Sequence, residues 1–75
     1  MANTVHSKEY GARQGKSEGE VYKHLLDSWV INDPDLINHH AIKLFYANGL
    51  KGVRCEKAFV AAYIAEIKTS PMYKL

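Results

Sequence analysis

One cysteine in 75 residues leaves Cys55 nothing to pair with inside the chain, so an intramolecular disulfide is excluded. Small secreted domains usually lean on such cross-links, and doing without them fits a reducing cytoplasm. Long apolar runs are also missing. Ala58 to Ala65 (AFVAAYIA) is among the longest such stretches, well short of the roughly 20 residues that span a bilayer. No charged-then-apolar leader opens the sequence. The expectation is a soluble, cytoplasmic protein without membrane contact.

Signatures of chemistry are equally scarce. His24, His39, His40 and Cys55 could donate to zinc, but no C-x2-C or H-x3-5-H pair occurs. On a helix the adjacent His39 and His40 point about 100° apart, which does not favour chelation of one ion. Neither metal nor cofactor is expected. The phosphate-loop pattern is absent, and the one G-x-x-G is Gly-Leu-Lys-Gly at 49–52. Such a loop clamps nucleic-acid backbone in KH domains, but the strands that fold needs are not evident, and a helix stop plus a turn explains both glycines. Cys55 near the start of a helix could be an activated thiol, with a histidine, Asp27 or Ser28 as company. No oxyanion loop or flanking signature accompanies it, and a lone cysteine in an apolar segment reads more simply as a small core residue. The chain is read as non-catalytic.

What the sequence does contain is helix punctuation. Residues 1–16 (MANTVHSKEYGARQGK) hold no sustained apolar period and predict a flexible basic arm. Ser17-Glu18-Gly19-Glu20 fits a capping box, so a first helix is expected from Ser17 to about Ile31, with Val21, Leu25, Leu26, Trp29 and Val30 on one face. Asp33-Pro34 predicts a second helix, because an aspartate cap followed by proline fills one orphan amide and presets the first helical φ. Its stripe is Ile37, Ala41, Leu44 and Phe45, with Leu36 and His40 beside it, and Asn48-Gly49 stops it. A third helix is expected from about Gly52–Cys55 to Lys68, burying Phe59, Ala62, Tyr63 and Ile67; Ser70-Pro71 ends it. A strand over 53–61 is the competing reading, which Lys57 and the alanines disfavour. The expected fold is all-α: a three-helix bundle over 17–69, with the arm before it and a short apolar tail over 70–75.

Charge is unevenly spread. The balance is +2 over 1–16, −3 over 17–48 and +3 over 49–75. A DNA-reading second helix of a helix-turn-helix would need polar side chains on its exposed N-terminal positions. Arg54, Glu56 and Lys57 are followed at once by AFVAAYIA, which suits the buried centre of a bundle better. Aromatic residues exceed what so small a core holds, so some of Tyr10, Tyr22, Tyr46, Tyr63, Tyr73, Trp29, Phe45 and Phe59 must face solvent or a partner.

No motif assigns the chain to a family. The preferred reading is a small regulatory binding protein that docks on a larger protein with an acidic surface, with the transcription machinery as the candidate host. This is the format of small bacterial and phage-encoded regulators. Tyr46, Lys51, Arg54, Lys57, Met72, Tyr73 and Leu75 would form the contact. The alternative is helix-turn-helix-like binding to DNA or RNA backbone through Lys8, Arg13, Lys16, Lys51, Arg54 and Lys57.

Overall fold

Ser7 opens the first helix. Its hydroxyl accepts the Tyr10 amide at 3.0 Å, and α1 spans Lys8–Tyr22. The computed structural model describes residues 5–74; after α1 come α2 (Ser28–Ile31), α3 (Pro34–Ala47) and α4 (Val53–Ile67), with no strand among the described residues. The expected all-α helical bundle is present, as a rod of 44 × 17 × 17 Å.

The expected flexible arm over 1–16 needs correcting. Residues 8–16 are helical, and residues 1–4 of that arm lie outside the described residues. The reason lies in Gly11, Gly15 and Gly19, which form a buried stripe at four-residue spacing. Each costs an isolated helix about 1 kcal/mol relative to alanine, and none has a side chain that a hydrophobic period would register. Tertiary contact makes up for this. A Cβ on Gly11 would overlap the Cys55 carbonyl and lie 2.8 Å from its Sγ; one on Gly15 would overlap the Phe59 carbonyl. One on Gly19 would sit 2.5 Å from Glu66 Cβ and 3.1 Å from the Tyr63 carbonyl oxygen. Only bare backbone lets α1 lie this close to α4. The pairing order also shows that the two helices run parallel.

The expected first helix is corrected too. Ser17 and Glu20 sit inside α1 rather than at its start, and α1 stops at Tyr22. After the turn at Lys23–Leu26, Asp27 begins the single turn α2. The apolar set expected on one face is therefore divided: Leu26 and Val30 pack on the core, whereas Val21, Leu25 and Trp29 stay exposed.

From Asp33 onward the expected elements stand. Asp33 accepts the Asp35 and Leu36 amides with Pro34 in the first turn, and Asn48 closes α3. Gly49 and Gly52 hold φ of 71° and 113°, left-handed conformations that glycine adopts without steric penalty. This sharp connection returns the chain as α4, antiparallel to α3: Phe45 meets Phe59 and His40 meets Tyr63. The expected central place of α4 is also observed. Cys55, Phe59, Tyr63 and Ile67 are buried between the other helices. One core cluster joins Ile31, Ile37, Ala41, Tyr63 and Ile67; a second joins Phe45, Leu50, Cys55 and Phe59.

The tail folds back. The Asn32 side chain donates to the Met72 carbonyl at 3.1 Å and accepts the Lys74 amide at 2.9 Å, setting Tyr73 against the first cluster.

Three substitutions test this account by chemical denaturation. Ser7→Ala should lose about 1 kcal/mol through its cap. Ser17→Ala, in mid-helix and exposed, should change stability by less than about 0.5 kcal/mol. Gly15→Ala should destabilise by about 1–3 kcal/mol through overpacking, opposite in sign to the gain alanine gives in an open helix.

Candidate docking surface

The residues singled out for chemistry are dispersed. Cys55 is fully buried beneath Gly11, and burial pushes its thiol above the ordinary range. A thiol held protonated and out of solvent is a poor nucleophile. His24 and His39 are exposed. Asp27 accepts the Trp29 indole N–H at 3.3 Å, and Ser28 is the first residue of α2. Among the described residues no three histidine, cysteine, aspartate or glutamate side chains gather as a metal set.

His40 has a structural task. Its Nδ1 lies 2.6 Å from the hydroxyl of the fully buried Tyr63, and Tyr22 of α1 meets its ring edge-on at 4.8 Å. Burial lowers the His40 pKa, with Lys43 and His39 acting in the same direction and Glu18 opposing. Burial raises that of Tyr63, with Tyr22 and Glu18 adding to it. Both shifts favour neutral side chains, and the imidazole tautomer sets the direction of the bond: Nδ1 accepts the Tyr63 O–H when Nε2 carries the proton, and donates to the phenol oxygen when Nδ1 does. One hydrogen bond and one aromatic contact thus join α1, α3 and α4, and the buried phenol is left with a partner.

The expected partner contact is divided between two ends of the rod. Tyr46 and Lys51 lie at the α3–α4 connection, where Phe45, Gly49, Leu50, Gly52, Val53 and Glu56 complete a shallow groove of about 400 Å³. Lys57 borders an adjoining groove with Ile42, Val53, Val60 and Ala61. Tyr73 lies at the far end of α4, about 20 Å away at 1.5 Å per helical residue, in a groove with Ile31, Ile37 and Ile67. Met72 is exposed beside it, and Leu75 lies outside the described residues. The greater part of the expected contact thus lies at the α3–α4 end. Tyr46 is 63% exposed and Val53 72% exposed, with exposed Lys51 in the same groove, exposed Lys57 in the adjoining one, and Arg54 exposed next to Val53 in the chain.

Val53, Ile42 and Val60 were missed by the sequence reading. Val53 belongs to no apolar stripe, and an apolar residue off the stripe of a helix was the available signal. The N-terminal segment also borders this end. His6 N–H donates to the Lys51 carbonyl at 3.0 Å, the Lys51 amide donates to His6 Nδ1 at 3.1 Å, and Val5 covers Gly52.

The cations of the alternative reading do not line one groove. Lys16 borders a groove between α1 and α4 with Ala12, Ala62 and Ala65, whereas Lys57 borders the groove between α3 and α4. Lys8 and Arg13 are exposed on α1. No helix among the described residues is long and apolar enough to cross a membrane.

Two measurements check these environments. Alkylation of Cys55 by iodoacetamide should be roughly a hundredfold slower in the folded protein than in denaturant. The lowered His40 pKa means that the unfolded chain binds more protons just below its own value of about 6.5. The His40 contribution to stability is then complete above that pH and lost as pH falls through the folded value. Urea midpoints should fall between about pH 7.5 and pH 5, and His40→Gln should flatten that part of the slope. Comparison with protein-family models, curated proteins and solved structures finds no match for the chain.

Proposed function

We propose that the protein is a non-catalytic docking module that binds a larger protein with an acidic surface through the α3–α4 end, and regulates that host. The observation that carries this reading is the pairing of exposed Tyr46 and Val53 with Lys51 in one groove and Lys57 in the adjoining one, with exposed Arg54 next to Val53 in the chain. Tyrosine and arginine with apolar neighbours are typical of energetically dominant contacts. The placement of one cation supports the same reading. Arg54 stands in the first turn of α4, where the helix dipole disfavours positive charge by roughly 0.3–1 kcal/mol, so helix stability does not account for it. A component of the transcription machinery is the host class we favour, a choice resting on the format of the chain.

The test is capture from a nuclease-treated bacterial lysate by the immobilised protein, beside a salt titration against non-specific duplex DNA. One large acidic protein should be retained, and Tyr46→Ala should weaken that binding by about 1–2 kcal/mol, or roughly 5- to 30-fold. An empty capture together with DNA binding that collapses as salt rises would replace this reading with the phosphate-binding one.

A further inference from the structure

The most exposed apolar group outside the docking end is the corner between α1 and α2. Leu25 is 67% exposed and Trp29 65% exposed, with Val21 exposed beside them in the chain. The indole is not free to swing at no cost, because its N–H is held by Asp27. A tryptophan fixed in solvent by its own element is a preformed anchor. This end of the rod carries Glu20, Asp27, Asp33, Asp35 and Glu66 against Lys23, Lys68 and Lys74. Lys23 is already engaged, with Glu66 at 4.0 Å and Thr69 at 3.1 Å.

The parallel packing of α1 on α4 sets this corner at the end of the molecule opposite to Tyr46 and Val53. There, exposed apolar residues stand among Lys8, Lys51, Arg54 and Lys57 against Glu9 and Glu56. The rod therefore has an acidic apolar end and a basic apolar end, which its 44 Å length keeps apart within one molecule.

We propose that the Leu25–Trp29 corner binds the Tyr46–Val53 end of a second copy of this chain. The contact is head-to-tail, since pairing two acidic corners would set like charges together. Copies joined this way close into rings, of which an antiparallel pair is the smallest, or extend into open chains. The proposal rests on the docking reading in one respect: the second copy occupies the same end as the host, so assembly and docking exclude each other and self-association holds the module in reserve.

Sedimentation velocity from roughly 10 μM to 1 mM covers the range of a weak contact, with fluorescence of Trp29, the single tryptophan, as a second readout. The wild type should gain mass with concentration, its emission should shift to the blue, and added salt should reverse both. Two variants altered only at exposed sites, Leu25→Lys with Trp29→Ala and Tyr46→Glu with Val53→Glu, should each weaken association at least roughly tenfold with circular dichroism unchanged. Mixed in equal amounts, they should form a heterodimer that grows no further, because each retains the end the other lacks. A wild type that stays monomeric throughout overturns the proposal. So does a Tyr46→Glu/Val53→Glu variant that still dimerises, which would mean that the corner pairs with itself, and so does a mixture that stays monomeric. Failure of assembly leaves host capture through Tyr46 untouched, whereas loss of capture with assembly intact removes the docking reading alone.

Discussion

The close contact between the backbones of α1 and α4 is the constraint on which the structure depends. Gly11 and Gly15 let α1 lie directly on the carbonyls of Cys55 and Phe59, and Gly19 leaves room for the Glu66 side chain beside the Tyr63 carbonyl. The burial of Cys55, Phe59 and Tyr63 follows, because α1 covers the side of α4 that α3 leaves open. Their depth sets the chemistry: a thiol pushed up by burial and a phenol satisfied by a single histidine. The parallel direction follows as well, and with it the separation of the basic docking end from the acidic corner.

Against this frame the polar contacts are few and each has a place. His40 and Tyr63 meet where α3 crosses the α1–α4 pair, and Tyr22 closes the group from α1. Asn32 takes both backbone groups flanking Tyr73, so the tail covers the first core cluster rather than presenting a free apolar strand. His6 and Lys51 exchange hydrogen bonds that tie the start of the described chain to the α3–α4 connection. Among the described residues no buried side-chain polar atom is left without a partner, the usual condition of a native core.

The candidate surface was legible in part. Tyr46 and the cations at Lys51, Arg54 and Lys57 stand out in the sequence because they interrupt or flank apolar helices. Val53 carried a weaker sign, its place off the apolar stripe of α4 beside a turn glycine. Met72 and Tyr73 share the composition of a contact patch, but proximity in sequence to Leu75 says nothing of distance from Tyr46. The length of α4 puts them at the other end.

Local signals alone specify α3, α4 and the turn between them. Asp33, Pro34, Asn48, Gly49 and Gly52 act through local backbone geometry, which needs no partner to be read. Long-range packing sets α1 and the corner after it. A glycine stripe is locally a signal for flexibility, and only the facing carbonyls of α4 convert it into a helix. The apolar run from Val21 to Val30 carries a helical period, yet α1 ends at Tyr22 and only Leu26 and Val30 turn inward. Which apolar residues are buried is fixed by what lies opposite them, and that is not a property of any one segment.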